Sequence, residues 1–298
     1  MAIGVLALSV FVASAAFRGF VLEGQPIADD EATYLFIART LLEGRLINPL
    51  PEDPELFRNQ FVVLNDRGWY GKYPIGLPLV LALGELFHLR ALIIPLVAAL
   101  CVPLTFALGR RWFGAGRAQL GAALLMLSPH FIGTAGTLLS QPTSCLMLLI
   151  GLWLALRAEE SGSVLAALLA ALAFGFGVLV RPLPGGLFAM VAVIWAVLAA
   201  ARAERVQRGP AVVRAALLAL GAALGAGAVL LVNYVQTGDA LTSGYHQAHG
   251  SVSVFNNKHA DLASSLFGAM LRENVWLLGV PGCLIPVLYT RPQRAAAL

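Results

Sequence analysis

The sequence predicts an all-α integral membrane protein with about eight transmembrane helices. Hydrophobic residues make up 59 % of the 298-residue chain, charged residues only 12 %, and the mean hydropathy is +0.80. Soluble domains carry about 25 % charged residues, and disordered chains have low hydrophobicity, so this composition excludes both classes. Long charge-free runs that alternate with short basic segments are the second indication of a membrane protein.

The charge-free runs mark the expected spans. They cover residues 1–17, 91–109, 118–156, 161–180, 182–201, 215–238 and 275–290. The run 118–156 is too long for one crossing of a hydrocarbon core that is about 30 Å thick. We expect it to break at Pro129 and at Ser140-Gln141-Pro142, because the residue before a proline disfavours helical geometry.

Two apolar segments need a separate interpretation. The segment 75–89 contains Pro78, Glu85 and His88, and we expect it to lie at or re-enter the outer interface. A full crossing of the membrane by this segment is the alternative, and it would reverse the orientation of every later span. The first run carries Ala13-Ser14-Ala15, which resembles a signal-peptidase site. It lacks a basic start and stays hydrophobic afterwards, so we expect an uncleaved first helix.

The arginines predict the orientation, because cytoplasmic connections of membrane proteins are enriched in basic residues. Four connections are basic: Arg110, Arg111 and Arg117; Arg157; Arg202, Arg205, Arg208 and Arg214; Arg291 and Arg294. If they are cytoplasmic, residues 23–90 and 236–273 lie outside, as in a multi-pass protein of the cell (inner) membrane. The net charge is +4, but the arginines are divided among these connections and do not form one basic stripe, so we expect no nucleic-acid partner.

The outer segment 23–74 holds most of the acids. Residues 28–44 predict an amphipathic helix on the membrane surface, which Asp29 would cap and Gly44 would end. Asp30 and Tyr34 are four apart and share a face. The acids could merely complement the helix dipole. Their place directly after a membrane span favours a functional role.

A second polar feature is the aromatic, proline-containing stretch 69–78. Its aromatic rings could simply belong to the belt that membrane proteins place at the interface. Lys72 is the only cation of this stretch, however, and it would lie at headgroup depth. That position is suited to contact with a lipid phosphate.

Taken in order, these residues resemble the GT-C membrane glycosyltransferases, and most closely the dolichyl-phosphate-mannose–protein mannosyltransferases and the aminoarabinose transferases of lipid A. The matching features are Asp30-Glu31, Tyr34, Ala38-Arg39, Gly44, Lys72-Tyr73-Pro74, 109–114, 180–182, 233–234, 237–239 and 243–245. Tyr73 replaces one proline of the family's Lys-Pro-Pro element. Gln141 stands where relatives often carry an acid before proline, so this position lacks the acid that could take a second catalytic or metal-binding role.

The resemblance implies transfer of a sugar from a polyprenyl-phosphate donor to a hydroxyl of a lipid, protein or polysaccharide acceptor, on the outer (periplasmic) side of the membrane. Asp30 is the expected general base, with Glu31 beside it as a second catalytic residue. Lys72 and Arg181 are the expected phosphate ligands. The further expected substrate-binding residues are Tyr34, Tyr73 and Tyr245. No cofactor is expected; a divalent metal is possible, but the spacing of His246, His249 and His259 does not indicate a site.

The chain is interpreted as one polytopic domain over residues 1–298, with the candidate active site on the outer loop 23–90. It is shorter than typical relatives, and we therefore expect a truncated member of the family. Two alternatives stay open: a transporter or lipid flippase, and an inactive relative. A transporter would place ionisable residues near the bilayer midplane and often contain internal repeats, and neither is evident.

Overall fold

The computed structural model describes residues 2–57 and 59–249, and most of them are helical. The helices are α1 (Ala2–Ala16), α2 (Asp29–Leu42), α3 (Gly76–Leu86), α4 (Ile93–Met126), α5 (Pro129–Gly136), α6 (Gln141–Ser161), α7 (Val164–Val180), α8 (Pro182–Arg202), α9 (Arg205–Thr237) and α10 (Gly244–His249). A five-residue π-helical turn, Phe17–Val21, continues α1. This architecture confirms a mainly helical membrane protein.

Five helices of the described residues are long and apolar enough to cross a membrane. They are Ala2–Val21, Ile93–Met126, Gln141–Ser161, Pro182–Arg202 and Arg205–Thr237. The apolar α7 has 17 residues, which corresponds to about 25 Å of helix. The predicted span 275–290 and the basic residues Arg291 and Arg294 lie outside the described residues, so the total of about eight spans stays a prediction.

α4 is a helical hairpin rather than one rod. Gly114 has φ +79° and ψ 168°, a left-handed conformation that favours glycine. A Cβ atom on Gly109 would lie 3.2 Å from the Cβ of Ala118. In a continuous helix those residues would be about 13 Å apart along the axis. The chain therefore reverses at Gly114, in the middle of the predicted basic connection 110–117.

The long apolar run 118–156 breaks at both predicted places. α4 ends at Met126, and α5 begins with Pro129 after Ser128, whose hydroxyl accepts a hydrogen bond from the Phe131 N–H at 3.3 Å. α6 begins at Gln141 with Pro142 in its first turn. Proline is tolerated at these positions because its missing N–H would have no partner in the helix.

The bundle is centred on α7, which packs against α6, α8 and α9. Its contact with α9 is made by small residues. A Cβ on Gly221 would lie 2.3 Å from the Ala171 carbonyl oxygen, and a Cβ on Gly225 would lie 2.4 Å from that of Gly175. Small residues four apart let two membrane helices approach closely, and van der Waals packing then stabilises their association.

The outer segment contains two strands that the all-α prediction lacked. β1 (Val62–Asn65) and β2 (Gly68–Gly71) form an antiparallel hairpin in which Val63 pairs with Tyr70. Four-residue strands are too short to give a clear alternation of polar and apolar residues in the sequence. The hairpin ends directly before Lys72, and it therefore fixes where that side chain enters the site.

α3 follows this hairpin, and its 11 residues span about 16 Å. That is roughly half the thickness of a bilayer core, which agrees with the prediction that the segment 75–89 does not cross.

The three basic connections within the described residues meet at one end of the bundle. Arg111 pairs with Glu160 at 2.6 Å, which joins the turn of α4 to the end of α6. Glu159 and Arg214 line one small cavity at the same end. The outer segment and Arg181 lie at the opposite end. The predicted orientation requires the basic connections and the outer segment to lie at opposite ends of the bundle, and they do.

The orientation can be tested with single cysteines at two exposed positions, Glu52→Cys and Gln207→Cys. An impermeant maleimide is expected to label position 52 in intact cells and position 207 only after permeabilisation, because basic connections stay in the cytoplasm. The parent protein, in which Cys101 is buried and Cys145 half-buried, gives the background. Labelling at 207 but not at 52 in intact cells would refute this orientation.

Candidate functional site

The first turn of α2 presents three acids to three different environments. Asp29 is exposed, Asp30 is half-buried and Glu31 is fully buried. The helix begins at Asp29 itself, with Ala28 in the cap position and no side-chain cap, which corrects the expectation that Asp29 caps the helix. Gly44 follows the last turn with φ +71°, and the helix ends where the sequence predicted.

Glu31 is held by groups from three parts of the chain. Its Oε2 lies 3.7 Å from Arg18 Nη1 and accepts a hydrogen bond from the Leu138 N–H at 2.9 Å; its Oε1 accepts from the Ile27 N–H at 3.3 Å. Arg18 is also buried, and it donates to the carbonyl oxygens of Gly136 and Gly24. These contacts anchor α2 to the bundle. Glu31 is predicted to be catalytic, but its position indicates a positioning role.

Asp30 faces a cluster of aromatic rings. The Tyr73 hydroxyl donates a hydrogen bond of 2.6 Å to Asp30 Oδ1. The Tyr73 ring stacks on Tyr34 with centroids 4.6 Å apart, and meets Tyr245 edge-on at 5.5 Å. Tyr73 thus contacts both Asp30 and Tyr34, which lie on one face of α2, as predicted from their spacing.

Lys72 lies beside the same rings and is only 6 % exposed. Its Nζ is 4.2 Å from the ring centroid of Phe61, 5.3 Å from that of Tyr73 and 5.7 Å from that of Tyr245. Burial lowers the pKa of Lys72, and the nearby Asp30 carboxylate offsets part of that effect. The ammonium group therefore lies among three aromatic rings, with the Asp30 carboxylate near it.

Arg181 reaches this region from the opposite side. It joins α7 and α8 in an extended backbone conformation, φ −144° and ψ 95°. Gly76, at the start of α3, permits a close approach: a Cβ there would lie 2.4 Å from the Val180 nitrogen. Within the described residues Arg181 makes no ion pair with a carboxylate.

These residues surround a cavity of about 510 Å³. Five predicted site residues line it: Tyr34, Lys72, Tyr73, Arg181 and Tyr245. Neither Asp30 nor Glu31 is part of the lining; Asp30 contacts it through Tyr73. Four further polar residues of the wall were missed as site residues: Ser140, Asn233, Gln236 and Ser243. Three of them fall between Asn233 and Tyr245, a stretch in which Tyr245 alone was predicted as a site residue.

An apolar groove of about 560 Å³ adjoins the cavity. It runs between α8 and α9, with small side chains such as Ala219, Ala222 and Ala226 on its α9 wall. Pro182 and Val229 line both the cavity and the groove. The polar cavity therefore continues into an apolar surface between two helices that are long enough to cross a membrane.

No group of three or more His, Cys, Asp and Glu side chains suited to a metal ion occurs among residues 2–57 and 59–249. The His246 ring nitrogen Nδ1 lies 2.9 Å from the Ser243 hydroxyl oxygen. His259, the side chain of His249 and Cys283 lie outside the described part of the chain.

Residues 74–226 match the family model of the dolichyl-phosphate-mannose-protein mannosyltransferases. The chain belongs to this family. Membership makes it a membrane glycosyltransferase in general terms. The matched range contains α3 to most of α9 and includes Arg181, whereas Asp30, Lys72 and Tyr73 precede it. A comparison with curated proteins gave no significant match.

The Arg18–Glu31 pair predicts a change in stability. Glu31→Gln removes the partner of a buried arginine, and losing one member of such a pair costs about 3–5 kcal/mol of unfolding free energy. The exposed Asp29→Asn is the matched control and is expected to leave stability unchanged. Thermal unfolding of the purified protein in detergent measures both variants. An unchanged unfolding temperature for Glu31→Gln would show that the pair does not anchor α2.

Proposed function

We propose that the protein transfers a sugar from a polyprenyl-phosphate donor to an acceptor hydroxyl, with the reaction in the cavity between α2 and Arg181. The observation that supports this most directly is the meeting of two cations and a carboxylate–tyrosine pair at one cavity, which continues into an apolar groove. Each of these parts corresponds to one requirement of the reaction.

The first requirement is stabilisation of the leaving phosphate. When the bond between the anomeric carbon and the phosphate oxygen breaks, the oxygen keeps the electron pair and negative charge increases. Fixed cations stabilise such charge most effectively where water is excluded. Lys72 is buried against aromatic rings, and Arg181 lines the same cavity without an ion-paired carboxylate among the described residues. We assign both to the donor phosphate.

The second requirement is a base for the acceptor hydroxyl, which loses its proton as its oxygen attacks the anomeric carbon. A positioned carboxylate typically contributes about 10²–10⁴-fold to the rate of such a step. Asp30 is the carboxylate beside the cavity, and its bond to Tyr73 fixes its orientation. The acceptor would be a lipid, protein or polysaccharide hydroxyl.

The third requirement is a place for the lipid part of the donor. A polyprenyl chain is apolar and remains in the bilayer while its phosphate lies at the membrane surface. The groove between α8 and α9 meets the cavity at Pro182, which directly follows Arg181 in the chain, and at Val229 in the last third of α9. This continuity favours a lipid-linked sugar over a water-soluble donor. The arginine-rich connections lie at the other end of the bundle and are expected in the cytoplasm, so we assign the cavity to the outer side of the cell (inner) membrane.

The role of Lys72 predicts a change in donor affinity. Lys72→Ala is expected to raise the apparent KM for the polyprenyl-phosphate sugar about tenfold or more, since a charge-assisted contact to phosphate contributes roughly 1.5–3 kcal/mol. Lys72→Arg should retain part of the affinity. The exposed Arg45→Ala, on the same outer segment, is the control. An unchanged KM in Lys72→Ala would refute the assignment.

Lysine at this position also predicts a pH dependence. Burial lowers the pKa of Lys72, so the parent should lose donor affinity at a less alkaline pH than an ordinary lysine would. Lys72→Arg keeps its charge at high pH. Its donor affinity should therefore stay flat over the range in which that of the parent falls. Parallel curves for the two proteins would contradict the phosphate contact.

The role of Asp30 predicts a change in turnover. Asp30→Asn keeps the size of the side chain but removes the base, and the transfer rate is expected to fall by about 10²–10⁴-fold. Expression and membrane insertion should be unaffected. Asp29→Asn is the neighbouring control, because the Asp29 side chain is exposed. A parent-like rate for Asp30→Asn, with a strong loss for Asp29→Asn, would mean that Asp29 is the base.

A further inference from the structure

The proposed base is separated from the cavity by one side chain. Asp30 does not line the cavity, whereas Tyr73 does, and the Tyr73 phenol donates to Asp30 Oδ1 at 2.6 Å. Of this pair, the residue in the cavity wall is therefore Tyr73. An acceptor hydroxyl that enters the cavity would meet Tyr73 before it meets the carboxylate.

The surroundings of Tyr73 hold this phenol in place. Its ring is 7 % exposed, stacks on Tyr34 and meets Tyr245 edge-on. Burial raises the pKa of Tyr34, and the neighbouring Ser140 hydroxyl offsets part of that effect. Burial and the hydrogen bond to Asp30 both raise the pKa of Tyr73, so the phenol keeps its proton in the resting protein. Its oxygen still has lone pairs that can accept a hydrogen bond from a second hydroxyl.

We propose that Tyr73 is a catalytic residue that relays the acceptor proton to Asp30, an inference that rests on the proposed function. As the acceptor oxygen forms its bond to the anomeric carbon, its proton passes to the Tyr73 oxygen. The original phenol proton passes at the same time to Asp30 Oδ1. The bond between the anomeric carbon and the donor phosphate breaks, and the phosphate leaves with the electron pair. Tyr73 ends neutral, Asp30 ends protonated, and the charge on the carboxylate has moved to the phosphate.

A buried tyrosine can also have a structural role, and Tyr70 is the example in this chain. Its hydroxyl bonds Asn65 and Gln247 at 3.1 and 2.8 Å, and thereby connects the hairpin to α10. Tyr70 is buried like Tyr73, but within the described residues its hydroxyl bonds no carboxylate, and it does not line the cavity. It provides a matched control in which one phenol oxygen is removed from the same outer segment.

Tyr73→Phe tests the relay, because it keeps the stacked ring and removes only the hydroxyl. The measurement is transfer of labelled sugar from a polyprenyl-phosphate sugar by the purified full chain, with kcat and donor KM determined separately. Tyr73→Phe is expected to lower kcat by about 10²-fold or more and to leave the donor KM within about threefold. Tyr70→Phe should retain the parent kcat. Thermal unfolding verifies that both variants are folded.

The double variant Asp30→Asn with Tyr73→Phe adds a second criterion. Two residues that move one proton act as a unit, so the double variant should be no slower than Asp30→Asn alone. Multiplied losses would overturn the relay, and so would a parent-like kcat in Tyr73→Phe, which would mean that Asp30 meets the acceptor directly. A loss confined to donor KM would make Tyr73 a binding residue only. A parent protein without any transfer would instead overturn the proposed function itself.

Discussion

The site depends on one buried ion pair at the boundary between the membrane bundle and the outer segment. Glu31 forms an ion pair with Arg18, which lies at the end of the first span. It also accepts a hydrogen bond from the Leu138 N–H, in the connection between α5 and α6. Two charges removed from water need both pairing and hydrogen bonds, and each of these side chains has two hydrogen bonds to backbone groups. This pair determines the position and rotation of α2, because α2 cannot turn without leaving Arg18 unpaired.

The rotation of α2 in turn decides what Asp30 can do. Consecutive residues of a helix point about 100° apart, so burying Glu31 leaves Asp29 in solvent and turns Asp30 toward Tyr73. The second constraint comes from the hairpin, which binds the end of α9: Asn65 donates to the Gln236 carbonyl oxygen and Arg67 to that of Val235. The hairpin thereby brings Lys72 into the cavity that Arg181 lines from the other side.

Much of the fold could be predicted because membrane spans are recognised as long apolar runs without charged residues. The breaks at Pro129 and Pro142 and the grouping of the three described basic connections at one end followed from charge and proline geometry. The prediction that the segment 75–89 does not cross stays a prediction, with which the short α3 agrees. The hairpin could not be predicted in the same way. Its strands have four residues each, and their pairing depends on contacts with α9 that no local pattern records.

The site was predicted in part. The sequence indicated that Lys72, Tyr34, Tyr73, Arg181 and Tyr245 belong together, and all five line one cavity. It could not separate the roles of the adjacent acids Asp30 and Glu31, because helix rotation is set by tertiary packing. The polar side chains of Asn233 and Gln236 were missed for a related reason. They lie at the end of a long apolar helix, and they belong to a site because the hairpin and α10 pack against that end.

The most direct measurement of the central claim is sugar transfer by the purified protein in lipid nanodiscs. Two donors with the same labelled sugar should be compared, one linked to a polyprenyl phosphate and one to a soluble nucleotide. If the cavity with its two cations and adjoining groove binds a lipid-linked donor, the label will pass to an acceptor hydroxyl from the polyprenyl phosphate alone. Transfer from the nucleotide sugar at an equal rate, or from neither donor, would contradict the account.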